Sequence, residues 1–357
     1  MIFNINLLPA RYGDSLWIEY GDAENPSIVL IDGGTGGTKN EIRRLIDAMT
    51  GQKHIELLVV THIDRDHIEG ILSLLQADKL DFTIGTIWFN GWNHLPGNDL
   101  FEIFGAVHGE KLSAAIIKHG INWNTHFGNT AVVHQTELQP PVFQLEKGLK
   151  ITLLSPTPEN LEALKPVWIK ELRKANLDPG FGLEILEEPE DLSADIEQFG
   201  EGVPDIEKLF REKFEEDRAA ANGSSIAFLA EFQGKRVLFA ADAFPSVILR
   251  ALNQLSSDKI PLDLIKVSHH ASANNTSPEL LEKIDCKKFA ISTNGSISHH
   301  PAKVTVARVI KQSGEGTELL FNYRTKDNEC WDDEILKMQY GYRTTYPEGE
   351  GLIIPLL

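Results

Sequence analysis

The sequence IELLVVTHIDRDH, residues 55–67, joins a short apolar run to a group of potential metal ligands. The apolar run, residues 55–60, is typical of a strand that is buried on both faces. Four side chains able to bind a metal follow within six positions: His62, Asp64, Asp66 and His67. A tight loop beyond a strand end can direct alternate side chains towards one point, and mixed imidazole and carboxylate ligands suit Zn²⁺ or Mn²⁺. The stretch therefore predicts a metal site at the carboxyl edge of a buried strand; the alternative is a polar loop in which Asp66 caps the next helix.

The segments around this stretch predict alternating strands and helices. Before it, three apolar segments predict a β-meander and a fourth predicts a helix: residues 2–8, 15–20, 27–31 and 40–49. A helix over 69–77 and a strand over 83–90 follow it. The second half repeats the plan with a hairpin, a strand, a helix and a strand: residues 226–232 with 236–241, 262–267, 278–284 and 289–293. Strands from Thr317 and at residues 351–357 complete the sheet edge, so we expect an α/β fold of two packed sheets with helices outside.

Composition and charge limit the function. The chain has 357 residues, 42% of them hydrophobic, which is enough for a sizeable core. Cys286 and Cys330 are its only cysteines, so His and carboxylate side chains must hold any metal. The net charge of -18 disfavours non-specific duplex binding. No apolar stretch approaches the roughly 18 to 20 residues of a membrane span, and no signal-peptide pattern follows Met1, so we expect a cytoplasmic protein that does not bind membranes.

Residues 62–67 resemble the HxHxDH signature of the metallo-β-lactamase superfamily, in the HxDxDH form of the hydrolase domain of ComEC-type competence proteins. Four further segments are similar to that family in the same order: Asp14-Ser15 with Asp32-Gly33-Gly34, LLSPTPENL at 153–161, NGSSIAFLAEFQGKRVLFAADA at 222–243 and IKVSHHASANNTSPELLEKI at 265–284. The resemblance covers most of residues 1–310. It implies a four-layer αββα sandwich in a single domain over residues 1–357, with metals at one edge of the sheets.

The resemblance also implies a binuclear site for two divalent metal ions, Zn²⁺ or Mn²⁺. His62 and Asp64 would bind the first ion, Asp66 and His67 would bind the second, and Asp242 would bridge both. Such a pair can hold a hydroxide between the ions and polarise the bond under attack. One departure is that Asn222 stands near the place of the family's third-motif histidine, where it could act through a water or hold the loop.

The second departure concerns the last ligands. Two histidine pairs, His269-His270 and His299-His300, each follow an apolar strand, and spacing does not decide between them. The resemblance implies that one histidine of SHHAS faces the metals or acts as a general acid, and that one of SHHP closes the second site. His269 and His300 are therefore added to the candidate metal ligands. The candidate catalytic residues are Asp66, His269 and His270.

Residues 158–221 form an acidic segment with helical stretches such as 205–218, which we interpret as an insertion. Two alternatives remain open for it: a solvated surface helix pair or a lid over the substrate.

The expected activity is hydrolysis of a phosphoester by a metal-bound hydroxide, as in a phosphodiesterase or nuclease, with single-stranded nucleic acid among the candidate substrates. One alternative is a hydrolase of small ester or phosphate metabolites. The other is a metal-stabilised module that binds a protein partner through the acidic insertion.

Overall fold

The computed structural model describes residues 1–96, 107–174 and 202–357. Its first sheet contains six strands: β1 Ile2–Leu7, β2 Leu16–Gly21, β3 Pro26–Ile31, β4 His54–Val59, β5 Thr83–Trp88 and β16 Leu352–Pro355. Their order is β16-β1-β2-β3-β4-β5. The meander of β1, β2 and β3 is antiparallel, whereas β3, β4 and β5 run parallel. The strand predicted over 55–60 is therefore confirmed as β4, inside this sheet.

The second sheet contains eight strands: β6 Val142–Gln144, β7 Lys150–Ser155, β8 Ala227–Phe232, β9 Lys235–Phe239, β11 Leu264–Lys266, β13 Lys288–Ile291, β14 Glu318–Phe321 and β15 Arg343–Thr345. Strands β6 to β9 form antiparallel pairs, and β9, β11, β13, β14 and β15 run parallel. A short parallel pair lies apart from both sheets: β10 Ile260–Pro261 and β12 Ile284–Asp285. After β15 in the second sheet, the chain returns to the first sheet, where its last strand, β16, pairs with β1.

Ten helices cover these sheets within the described ranges: α1 Lys39–Ala48, α2 Arg65–Leu75, α3 Val107–His119, α4 Pro158–Lys174, α5 Ile206–Phe210, α6 Ala220–Gly223, α7 Pro245–Leu255, α8 Pro278–Lys283, α9 Lys303–Ser313 and α10 Glu334–Tyr340. None of the helices in these ranges has the length and apolar character needed to cross a membrane. The predicted helix over 69–77 begins at Arg65 instead, which places Asp66 and His67 in its first turn.

Three apolar clusters show how the layers pack. One cluster lies between the sheets and joins Phe3 and Leu57 of the first sheet to Phe228 and Leu264 of the second. A second cluster joins the first sheet to helices α1 to α4, and a third joins the second sheet to helices that include α7, α8 and α9. The predicted four-layer αββα sandwich is confirmed, because each sheet packs on the other through one face and on helices through the opposite face.

The acidic insertion predicted over 158–221 is described only in part. Helix α4 at its start is anchored in the core through Leu161 and Trp168, which are fully buried. The helix expected over 205–218 is wrong beyond Phe210. Beyond Phe210 the chain packs against segments that are distant in sequence. The Asp217 N–H, for example, donates to the Asn274 carbonyl at 3.0 Å.

Residues 175–201, the middle of the proposed partner-binding arm, lie outside the described residues. The division of the chain into one domain and an insertion stays a prediction.

Candidate metal centre

The predicted ligands meet where parallel strands of both sheets end. His62 follows β4, Asp242 follows β9, and His269 and His270 follow β11. Carboxyl ends of parallel strands are a common location for functional sites, because the loops beyond them converge. Asp64 occupies the N-cap position of α2 but makes no capping hydrogen bond, so its carboxylate is left for another partner.

The loop after β11 has a strained backbone. Three consecutive residues without a glycine adopt left-handed conformations: His269, His270 and Ala271, with φ of 46°, 53° and 66°. Such conformations cost of order 1–3 kcal/mol each and persist where the surrounding structure holds them. The His269 N–H donates to the Ala241 carbonyl at 2.9 Å, and the Ala302 N–H donates to the Ala271 carbonyl at 3.0 Å. These bonds fix a conformation in which both imidazoles face the other ligands.

Asp242 lies at the middle of the group. Its Oδ2 is 3.8 Å from His62 Nε2, 3.4 Å from His67 Nε2 and 3.6 Å from His269 Nε2. The carboxylate is buried, and its Oδ1 has no hydrogen-bond partner among the described residues. A buried carboxylate in contact with three imidazoles fits the bridging position that the family resemblance implies for Asp242.

The other two carboxylates of the predicted motif flank Asp242. Asp66 Oδ2 is 3.3 Å from His270 Nε2 and 3.9 Å from His67 Nε2, and Asp64 Oδ2 is 3.6 Å from His62 Nε2. A tetrahedral ion with ligand bonds of about 2.0–2.2 Å holds its ligand atoms roughly 3.3–3.6 Å apart. The observed separations are close to that spacing, so the pocket fits ions of this size.

Each of the four imidazoles is held through its Nδ1. His62 Nδ1 bonds Thr61 Oγ1 at 3.0 Å, and the other three bond a side-chain or main-chain oxygen: His67 with Asp32 Oδ2 at 2.8 Å, His269 with Asn275 Oδ1 at 2.9 Å and His270 with the Ser292 carbonyl at 2.8 Å. A proton on Nδ1 leaves the Nε2 lone pair free to bind a metal. The buried Nε2 atoms of His62, His67 and His270 have no hydrogen-bond partner in the described part of the chain. Buried polar atoms are rarely left unsatisfied, so a ligand is expected there.

The pKa values show that the centre favours positive charge. Burial raises the pKa of Asp242, but His269 and His67 outweigh it and hold the value well below the usual range. Burial lowers the pKa of His270, whereas Asp14 and Asp66 raise it to about 10. Carboxylates that stabilise protonated imidazoles would also stabilise a metal cation bound in place of those protons. The electrostatics therefore agree with the geometry in fitting a metal.

The two histidines of SHHP lie in different surroundings. The ring of His300 is centred 5.8 Å from that of His269 and 6.4 Å from that of His270. Burial, together with those two neighbouring imidazoles, lowers the pKa of His300 to about 3. His299 is about half exposed, and its Nδ1 lies 3.5 Å from Asp327 Oδ1. The structure therefore places the ring of His300 beside those of His269 and His270, whereas His299 pairs with Asp327.

Asn222 lies in a hydrogen-bond network on the Nδ1 side of His269. Its Nδ2 donates to Asp217 Oδ2 at 2.6 Å and lies 3.4 Å from His269 Nδ1. Asp217 Oδ2 also accepts from Asn275 Nδ2 at 3.0 Å. This network packs against the back of the His269 ring.

Asp14 and Lys266 support the ligands and lie in segments that resemble the family, but they were not among the candidate site residues. Asp14 lies in a cluster with His67, Asp242 and His270, whose potential ligand atoms are all within 4.8 Å of one another. Lys266, fully buried in β11, pairs with Asp14. One signal was available, because a lysine within the apolar segment LIKV requires a buried partner.

Two cavities lie near these loops. One, of about 450 Å³, has His269 in its wall together with Asn274, Asn275 and the acidic residues Glu215 and Asp217. A larger one, of about 850 Å³, is lined by His299 and Pro301 but by none of the ligand group. The smaller of these two cavities therefore adjoins the centre, and its wall carries three carboxylates, Glu215, Glu216 and Asp217, against one guanidinium, Arg218.

Neither a protein-family model nor a curated protein sequence matches the chain. Solved structures similar to it include Zn²⁺-bound PqqB from Methylobacterium extorquens, at 12% identity and a TM-score of 0.39, covering 96% of this chain and 87% of that one. A HARLDQ-motif mutant metallo-β-lactamase from Cronobacter sakazakii has 11% identity, a TM-score of 0.31 and coverage of 74% and 72%. MEM-A1, a subclass B3 metallo-β-lactamase from a soil metagenome library, has 13% identity, a TM-score of 0.29 and coverage of 75% and 79%. At these identities and scores the likeness does not define the activity of this chain.

Proposed function

We propose that this protein is a metal-dependent hydrolase with two divalent ions, Zn²⁺ or Mn²⁺. The observation that carries the proposal is the convergence of buried, unpartnered imidazole Nε2 atoms on the carboxylate of Asp242. The first ligand group is His62, Asp64, His269 and Asp242. The second ligand group is Asp66, His67, His270 and Asp242. A pair of such ions, when bound, supplies Lewis acidity and lowers the pKa of water.

The remaining roles fall to the surrounding side chains. Asp32 and Asn275 hold the rings of His67 and His269 by their Nδ1 atoms, and thereby keep the Nε2 atoms directed inwards. His300, beside His269, remains a candidate for the second ion or for a substrate contact. Asp66 and the two histidines of SHHAS stay the candidates for direct participation in the reaction.

The charge balance of the centre supports an anionic substrate. Two divalent cations would bring four positive charges against three carboxylates, those of Asp64, Asp66 and Asp242, while Lys266 neutralises Asp14. Counting only the groups that would bind the ions, a loaded centre would keep about one positive charge, although Asp32 and Asp217 beside the ligand histidines offset it; local positive charge at the ions favours a phosphoryl oxygen over a neutral ester carbonyl. This balance supports hydrolysis of a phosphoester, and of a phosphodiester in particular.

The acidic cavity wall favours a short substrate. Glu215 and Asp217 would repel the second and third phosphates of a long polyanion, while a single diester would reach the centre with less repulsion. The same observation, with the net charge of -18, keeps small ester or phosphate metabolites as the second candidate.

The test is a substrate panel with protein reconstituted in Zn²⁺ or Mn²⁺. It compares bis(4-nitrophenyl) phosphate, 4-nitrophenyl phosphate, 4-nitrophenyl acetate, and short and long single-stranded DNA and RNA. We expect metal-dependent cleavage of the diester and of short oligonucleotides, and no cleavage by Asp242→Ala. Cleavage of the acetate alone would favour the second candidate, and failure to bind any metal would refute the proposal.

A further inference from the structure

A buried ion pair connects the two sheets below the second ligand group. Lys266 on β11 and Asp14 in the turn between β1 and β2 are both almost fully buried. Lys266 Nζ donates to Asp14 Oδ2 at 2.6 Å and to the Val267 carbonyl at 3.0 Å. A pair of this kind adds little net stability compared with apolar residues, because desolvation of both ions offsets their attraction. The role of the pair is therefore better sought in the residues that it holds in position than in stability.

The turn that carries Asp14 packs against the first turn of helix α2, which follows β4 in the first sheet. The Asp14 N–H donates to the Asp66 carbonyl at 3.2 Å. A Cβ on Gly13 would lie 1.9 Å from the same oxygen, so the chains approach as closely as glycine permits. Displacement of Asp14 would therefore also displace Asp66, one of the proposed ligands.

The same turn reaches the loops of the second sheet. Asp14 Oδ1 lies 3.6 Å from His270 Nδ1 and has no hydrogen-bond partner among the described residues. Ser292, whose carbonyl accepts from His270 Nδ1, donates its hydroxyl to the Gly13 carbonyl at 3.3 Å. A negative charge beside Nδ1 favours the tautomer with its proton there, so that the Nε2 lone pair faces Asp66.

We propose that the Asp14–Lys266 pair is a positioning device that aligns Asp66 and His270, contributed by different sheets, into the second ligand group. Lys266 neutralises Asp14, so the Asp14 carboxylate stands beside the centre without adding net negative charge. Asp242, which both ligand groups share, also lies near the pair, because its ligand atom and that of Asp14 are within 4.8 Å of each other. The proposal rests on the proposed function in so far as the aligned residues bind a metal.

The test uses Asp14→Asn, Lys266→Met and the double variant, with Lys235→Met/Asp263→Asn as a matched control. Lys235 and Asp263 also form a lysine–aspartate pair, at 2.8 Å, where β9 and β11 begin, opposite to the ligand loops. Stepwise Zn²⁺ affinities are measured by competition with a chromogenic chelator, and the melting temperature is measured without metal. A metal-free crystal structure of the double variant reports the distance from His270 Nε2 to Asp66 Oδ2.

Each single variant should melt lower, because it leaves one buried charge alone, and the double variant should recover most of the loss. In the double variant the second Zn²⁺ should bind about 10–100-fold more weakly, as for other partners of metal ligands, with the first Zn²⁺ unchanged. The His270–Asp66 distance should move from 3.3 Å.

Wild-type affinity for both ions with an unmoved ring in the double variant would overturn the proposal, as would equal weakening in the control. If the single variants fail to fold, the double variant still decides. If the wild type binds no Zn²⁺, the proposed function fails, and the metal-free structure still tests the alignment.

Discussion

Replacement of Asp32 by Asn tests whether His67 binds an ion through Nε2. The Asp32 carboxylate accepts from the Thr61 N–H and hydroxyl, both at 2.7 Å, and from His67 Nδ1 at 2.8 Å. Its backbone is left-handed, with φ of 57°, and Asn tolerates that conformation better than most residues. The substitution therefore changes the hydrogen bonding and leaves the backbone in place.

The three contacts respond differently. The amide oxygen of Asn can still accept from the Thr61 N–H, and the Thr61 hydroxyl can rotate to accept from the amide nitrogen. His67 Nδ1 would then face an N–H donor, so its proton must move to Nε2, where it blocks the lone pair that faces Asp242. Loss of a hydrogen bond to a charged acceptor should lower the free energy of unfolding by about 1.5–3 kcal/mol. The affinity for one ion should fall about 10–100-fold, which corresponds to about 1.4–2.8 kcal/mol.

Chelator competition measures the affinity, and urea unfolding in the absence of metal measures the stability. Asp47→Asn is the matched control, because Asp47 is an exposed carboxylate on α1 that bonds Arg43 at 2.7 Å. Asp47→Asn should leave the affinity for each of the two ions unchanged. Unchanged binding of both ions by Asp32→Asn would show that His67 does not bind through Nε2, or that Asp32 does not set its tautomer.

Three other substitutions have distinct expected outcomes. Asp242→Ala should abolish hydrolysis and weaken both ions with a modest change in unfolding free energy; full activity would remove Asp242 from the site. Gly13→Ala should lower the melting temperature and the affinity for one ion, because the new Cβ meets the Asp66 carbonyl at 1.9 Å, and wild-type values would contradict the close approach. Trp168→Ala should cost about 3–5 kcal/mol of unfolding free energy with metal content by elemental analysis unchanged, whereas metal loss would mean that α4 supports the centre.

Local patterns predicted the parts of the fold that depend on neighbours in sequence. Strand β4 and its ligand loop follow from one apolar run and four adjacent side chains, and the β8–β9 hairpin follows from the turn at Gln233-Gly234. The helix expected over 205–218 fails because its polar groups bond distant residues, which a local pattern does not contain.

The choice among the histidines could not be made from spacing. His269 and His270 are adjacent, and adjacent side chains ordinarily point in different directions on a strand or helix. Both face the ligand group because the backbone is left-handed at both positions. That conformation depends on bonds to Ala241 and Ala302, which come from other parts of the sequence. The support that Asp14 gives to His270 depends on docking of the sheets and is equally absent from local sequence.

The origin of the ligands in two sheets has a consequence for how the protein matures. His62 and Asp66 belong to the part of the chain made first, whereas Asp242 and His270 are made after the second sheet has begun. Contacts between such distant segments form late in folding, because a long loop must close before they are gained. A nascent chain thus presents only half of each ligand group. Under the proposed function, tight metal binding would have to wait for the sheets to dock, so a bound ion would report that this chain has completed its fold.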